Sequence, residues 1–421
     1  MINIIHDTFS PLGRFIEKFS DIFSKSQKEN FKVYSLGLLL PMKRASIEVI
    51  DEMRIERGYD ALHHFMKEAP WEEEEVNKRR LYILISDKRT RPSQEGVLVI
   101  DDTSSKEKSG ENTEGIGIQY SGREKKLMKC NVVVTSHYVD KKKDYPVGLS
   151  AYIPEEKIRE RERFLSKVDR AKILVSHARE NGVDFGEVLF DNWYFGKGFV
   201  QFIEGKGKDW TTTLAKDQII YVRGKRYTVE RLVKSLDGMN HFKEMTKVSK
   251  RGKEEKRYIY GVNIGIKGIR GRLRMVVCKT ERYSTEMKEI EVIVTNKESG
   301  FILDREIVEK WGLRWDIENF YRDAHDNLHF SEYQVRDMRT IKRHWYVVFF
   351  DYSYLVLSRM RGNFSKLAKR VNMEVRTIGD CINLLRRRLS YNFVQWLMRC
   401  KKNLKVFIQH IWGEESQLCY V

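Results

Sequence analysis

Residues 96–105 read GVLVIDDTSS: four apolar residues, Val97 to Ile100, run without interruption and end on Asp101, Asp102 and Thr103. A strand with one wet face alternates apolar and polar side chains, so an unbroken run predicts a strand buried on both faces of a sheet. Residues 187–195, EVLFDNWYF, have the same form and end on Asp191. Between the two, GIGIQYS (115–121), KCNVVVTSHYV (129–139) and Tyr145 to Ile153 read as further strands. Residues 158–182, IRERERFLSKVDRAKILVSHARENG, read as an amphipathic helix stopping at Gly182. Strands, helix, strand, helix is the order of an α/β core built on a mixed sheet with flanking helices.

Outward from that core the pattern changes. Residues 30–56 and 63–85 carry apolar side chains at helical spacing, the first punctuated by Pro41. The second contains Pro70, Trp71 and four glutamates, an acidic helix start suited to the positive end of the dipole. Downstream of Thr211, short β segments with basic turns follow one another: 219–229, 257–266, 271–280 and 290–296. The charge run Lys247–Lys256 reads as a loop tip. Residues 301–330 read as helix with a break near Gly312, and the remainder as helix with the basic clusters Arg386-Arg387-Arg388 and Lys401-Lys402. The expected divisions are a helical N-terminal domain (1–92), a core in two parts (93–210 and 301–345), a basic β-rich insertion (211–300) and a helical C-terminal region (346–421).

The chain of 421 residues carries a net charge of +18, unevenly spread. Residues 1–90 are neutral, whereas 201–300 carry about +10 and 326–421 about +9. Such an excess suits a polyanion, since each neutralised phosphate releases a condensed counterion; the alternative is a charge that serves only solubility. Five scattered cysteines form no CxxC pair, which excludes a zinc ribbon or a disulfide framework and suits a reducing cytoplasm. His137, His325 and His329 have no zinc-ligand spacing with them. GIGIQYSG lacks the GK[ST] element of a phosphate loop. No signal peptide is visible, and the apolar run Trp345–Leu357, broken by Asp351, is too short to span a bilayer and reads as a buried helix.

Acids at the carboxyl ends of strands line the functional crevice of an open α/β sheet. Asp101 or Asp102, together with Asp191, would gather there. Hard carboxylate oxygens without His or Cys select Mg²⁺ or Mn²⁺, and two such ions serve phosphodiester cleavage. The plain alternatives are turn capping by Asp102 and helix capping by Asp191, a role Asn192 would otherwise fill. A third acid, Glu318, sits in the later helix. Positions 311, 314, 318, 322 and 325 fall at steps of three or four on one face, giving Trp311, Arg314, Glu318, Arg322 and His325. Read alone, that face is an amphipathic surface with intrahelical ion pairs. Asp184 and Glu187 are expected to face solvent, and Arg274 and Lys297 to be phosphate contacts or solvated charges.

The segment WGLRWDIENFYRDAH (311–325) resembles the signature helix of DDE transposases in the insertion-sequence-four group and its seven-hundred-and-one relative, Tyr-x2-Arg-x3-Glu-x6-Lys. Arg314 and Glu318 match; Trp311 stands for the Tyr and His325 for the Lys. DDT at 101–103 resembles the first catalytic motif, in which the Asp before Thr is the ligand, and so selects Asp102. FDNWY at 190–194 resembles the second and selects Asp191. The β-rich stretch between Asp191 and Glu318 matches the insertion expected in this group. The resemblance implies an RNase H-like fold interrupted by a β insertion, two Mg²⁺ or Mn²⁺ ions on Asp102, Asp191 and Glu318, and cut-and-paste strand cleavage and transfer, through a hairpin or otherwise. It implies double-stranded DNA as partner (terminal inverted repeats and target), a homodimer pairing two ends, and a cytoplasmic, nucleoid-associated location without membrane. DNA contacts are expected from Trp311, Arg314, Arg322, His325 and Arg386–Arg388, and from Trp210, whose other reading is packing. Trp311 offers an indole N–H where the group has a phenol, and His325 a titratable ring where it has a fixed cation. The rival functions are an RNase H-like nuclease that only hydrolyses and a catalytically inactive DNA-binding regulator.

Overall fold

The computed structural model describes residues 9–40, 58–108, 112–158, 163–236, 241–248, 254–282, 286–297 and 300–399. The chain divides into two compact units, residues 81–321 and residues 1–80 with 322–421. Pro41, the middle of the 247–256 charge run, Lys401, Lys402, Cys400 and Cys419 lie outside the described residues.

The unit 81–321 is organised by a mixed sheet. Its central strand is β1 (Val97–Ser104), whose apolar run is fully buried. Beside it lie β4 (Val132–Val139), antiparallel, and β6 (Glu187–Phe190), parallel. Strand β5 (Asp144–Tyr152) pairs antiparallel with β4, and β7 (Asp209–Thr213) parallel with β6. The order β5-β4-β1-β6-β7, with β4 alone reversed, is the RNase H-like sheet. The strand expected at 115–121 pairs instead with the start of the next segment, as a separate hairpin of β2 (Gly117–Ser121) and β3 (Lys126–Cys130). A further hairpin joins β8 (Ile219–Val222) and β9 (Lys225–Thr228). The rest of the β-rich insertion does not stand apart. Strands β10 (Lys243–Val248), β11 (Glu254–Ile264), β12 (Leu273–Lys279) and β13 (Ile290–Thr295) continue the same sheet past β7, giving nine strands among the described residues.

Helices cover both faces of the core strands. Helix α5 (Lys167–Glu180) opens on a capping box in which the Ser166 and Asp169 side chains take each other's backbone N–H. It lies over β4 and β5, where Arg170 donates to Ser150 at 3.1 Å. A Cβ at Gly148 would stand 2.9 Å from the His177 ring, so glycine lets the helix approach. Helix α9 (Trp315–Asn327) covers the opposite face: the Phe320 ring stacks on His137 at 4.9 Å, and the Tyr321 and Thr135 hydroxyls bond at 2.7 Å.

In the other unit the run around Trp345 is a buried helix, α10 (Met338–Met360), as its hydropathy predicts. Phe15, Phe19 and Phe31 gather on Phe350 with ring centroids 5.0, 5.2 and 4.7 Å away. Two polar devices fix the packing. Buried Arg343 donates to the carbonyls of Met66 and Ala69 at 2.9 Å, and buried Asp351 accepts from Ser35. The N-terminal segment expected as a domain of its own thus shares a core with the later helix, because α10 is apolar on every side and needs cover all round. Among the described residues no helix is long and apolar enough to cross a membrane.

Candidate active site

Asp101 and Asp102 are consecutive strand residues in unbroken register, Asp101 opposite Thr135 and Asp102 opposite Val134. Side chains alternate across a sheet, so the two carboxylates leave on opposite faces. Thr135 marks the face covered by α9; Val134 pairs in turn with Ser150, on the face covered by α5.

Asp101 therefore sits on the α9 side. Its Oδ1 accepts from the Asp102 N–H at 2.8 Å, and its Oδ2 stands 3.5 Å from the Arg314 guanidinium. Arg314 donates also to Glu318 Oε1 at 2.6 Å and so bridges the two acids. The side chains of Asp101, Arg314 and Glu318 are 19%, 16% and 37% exposed, which puts the group in a cleft rather than on an open surface. Asp191 directly follows Phe190, the partner of Ile100, with extended backbone, and caps the 3-10 turn Asn192–Tyr194 through one oxygen. The capping expected of Asn192 falls to Asp191 itself.

The three acids feel one another. Burial raises the Asp101 carboxyl to about 7; the Asp102 and Asp191 charges add to this, and Arg314 opposes it. Burial also raises Glu318, again with Arg314 lowering and Asp191 raising it. Excess negative charge with a single guanidinium between carboxylates is what a cation site looks like electrostatically. Its donors are all carboxylate oxygens, the set suited to Mg²⁺ or Mn²⁺. Among the described residues no three His, Cys, Asp or Glu side chains stand close enough to hold an ion as they are. Arg314 lies where Asp101 and Glu318 would have to converge.

Asp102 has a different setting. Its Oδ2 takes the Lys167 ammonium at 2.8 Å and its Oδ1 the buried Tyr194 hydroxyl at 2.8 Å. Both partners satisfy it as a structural anion on the α5 side, away from Glu318.

A model of the family described as DDE superfamily endonuclease matches residues 18–235, just over half of the chain. The chain belongs to the DDE superfamily of endonucleases. A second model, transposase DDE domain, matches residues 164–353. A probable transposase for insertion sequence element IS701 from Microchaete diplosiphon is 25% identical over 309 residues, covering 73% of this chain and 77% of that protein. The solved piggyBac transposase synaptic complex with hairpin DNA aligns with a TM-score of 0.46 at 8% identity, over 94% of this chain and 78% of that one.

Other residues singled out in this DDE endonuclease are placed as follows. The helix expected over 301–330 is broken into α8 (Phe301–Trp311), a 3-10 turn (Gly312–Arg314) and α9. The five-residue face is accordingly not one helical face. Trp311 is 4% exposed, with its indole N–H 3.4 Å from Glu291 and Arg314 over its ring. His325 is also buried and bonds Ser331 at 2.6 Å, so neither ring is presented to a phosphate. Arg322 is exposed. Trp210 is fully buried, donating to Glu204 at 2.9 Å; packing, not base stacking, is its place here. Arg386 is tied to the Leu39 carbonyl at 3.1 Å, whereas Arg387 is exposed and Arg388 partly so. Glu187, expected in solvent, is 1% exposed and pairs with Lys297 at 2.6 Å and Lys310 at 3.5 Å. Arg274 grips Asp304 with two bonds of 2.7 Å. These two cations are structural, which isolated sequence positions could not reveal because their acids lie 30 and 110 residues away. Sequence reading also passed over Lys167, Trp193 and Tyr194, although all three flank the acid motifs.

Proposed function

We propose that the chain is a transposase that cleaves DNA at the ends of an insertion element and joins the freed 3′ ends to a target, with Asp101, Asp191 and Glu318 as its metal-holding acids. The observation that carries this reading is the electrostatic coupling of those three carboxylates on one side of the sheet, around Arg314. Asp102, the first acid favoured by the motif resemblance, is replaced by its neighbour because it points the other way and is already paired.

Two divalent ions, when bound, would activate the attacking oxygen and stabilise the leaving one. Asp101, Asp191 and Glu318 would hold them. Arg314, released from its bridge, would be available to the substrate phosphate, for which a guanidinium fork is well shaped. The net charge of +18 supplies attraction for duplex DNA. Pairing two element ends calls for two copies of the chain, and so for a homodimer on DNA; the cytoplasm is the matching location. Strand transfer separates this reading from a plain nuclease.

The test is an end-cleavage and strand-transfer assay with Mg²⁺ or Mn²⁺, on a duplex bearing the inverted repeat that flanks the gene. Wild type should nick, cleave and join the end to a target. Glu318→Gln should lose both steps while retaining DNA binding. Cleavage without joining would favour the hydrolytic nuclease, and binding with no cleavage at all the inactive regulator. The cleaved ends, open or hairpin, identify the excision route.

A further inference from the structure

Next to the acids stands a group that the reading above does not use. Trp193 lies two residues after Asp191 and is 59% exposed, although it is among the largest apolar side chains in the chain. Its indole packs edge-on against buried Tyr194, with ring centroids 5.1 Å apart. The Lys167 ammonium sits over the Trp193 ring at 5.2 Å and is held by Asp102 at 2.8 Å. Lys167 is the first residue of α5, where the positive end of the helix dipole disfavours a cation. Asp102 offsets that cost, and Tyr194 fixes Asp102. Three side chains thus hold one ammonium against one exposed aromatic face, at the rim of the crevice that contains Asp191.

We propose that Trp193 and Lys167 form a platform for one unpaired nucleotide of the DNA strand beside the scissile phosphate, the indole stacking on its base and the ammonium meeting its phosphate. Every base offers a π-face, so the platform grips without reading sequence. An ammonium has three donors, so its pairing with Asp102 anchors it without exhausting it. A nucleotide next to the cut must leave the duplex for the acids to reach its phosphate from both sides, and an aromatic surface replaces the stacking it loses. The proposal rests on the DNA-cleavage reading. It assigns Asp102 a positioning role toward Lys167 instead of a place among the metal-holding acids.

The test is a cycle of protein and DNA changes in single-turnover cleavage. The substrate is the terminal-repeat duplex, intact or with an abasic nucleotide at each position next to the cut in turn. Trp193→Ala should slow cleavage roughly ten- to a hundredfold, and Trp193→Phe should restore most of the rate. At one position the abasic change should slow wild type by a similar factor and slow Trp193→Ala no further. Lys167→Gln should reduce the slope of log affinity against log salt by about one. Equal melting temperatures would show that the exposed Trp193 is not needed for folding. A wild-type rate in Trp193→Ala, or abasic losses that are the same in both proteins, would overturn the platform while leaving the transposase reading intact. A wild-type protein that does not cleave would overturn both.

Discussion

At the residue scale, the choice between Asp101 and Asp102 decides the site. Both were visible in DDT, and the motif resemblance pointed to the second. Period-two alternation already requires them to face opposite sides. No local signal says which side receives Glu318, because that depends on where α9 packs some two hundred residues later. The two acids should differ in stability as well as in activity. Asp101 has its carboxyl raised to about 7 from an ordinary value of 3.8. Its contribution to stability is therefore full below about pH 4 and lost as pH rises through about 7, where ionisation is resisted by burial and neighbouring charge. Asp101→Asn should accordingly stabilise the metal-free protein at pH 8, by on the order of a few kcal/mol, and by less at pH 5. Asp102→Asn removes the charge that holds Lys167 and should cost about 1–3 kcal/mol at pH 8. Thermal melts of the two variants at both pH values check this; a loss of stability in Asp101→Asn at pH 8 would contradict it.

At the element scale, uninterrupted apolar runs announced β1, β4, β6 and α10 because these elements are buried on all sides and need no partner to be recognised. Pairings over long sequence distance stayed hidden. The union of β13 with β7 spans some eighty residues, and it turns an expected separate insertion into one side of the main sheet. The break at Gly312–Arg314 was expected, yet its consequence was not: it turns Trp311 into the core and frees Arg314 to bridge Asp101 and Glu318. His325 illustrates the same limit. Restoring the group's cation by His325→Lys should not tighten DNA binding, because the ring is buried against Phe330 and bonded to Ser331. An ammonium there lacks a carboxylate partner to match it, and the variant should lose about 2–4 kcal/mol of stability, read by urea denaturation. Tighter end binding with unchanged stability would show that the side chain reaches DNA.

At the scale of the whole molecule, charge was fully legible and placement only partly so. A chain of +18 should bind DNA with an affinity that falls steeply with salt, as fluorescence anisotropy would show. The Arg386–Arg388 cluster reads as three equivalent cations in sequence, but Arg386 is engaged with the Leu39 carbonyl. Arg387→Gln with Arg388→Gln should therefore lower the salt slope by about two, and Arg386→Gln should lower stability with little change in slope. An equal effect of all three would mean that Arg386 leaves its carbonyl on DNA. The most direct measurement of the central claim is single-turnover cleavage of the terminal-repeat duplex by Asp101→Asn and Asp102→Asn, side by side, in saturating Mn²⁺. The account predicts that Asp101→Asn falls to the level of Asp191→Asn and Glu318→Gln, while Asp102→Asn keeps measurable cleavage. Normal cleavage by Asp101→Asn with none from Asp102→Asn would contradict it.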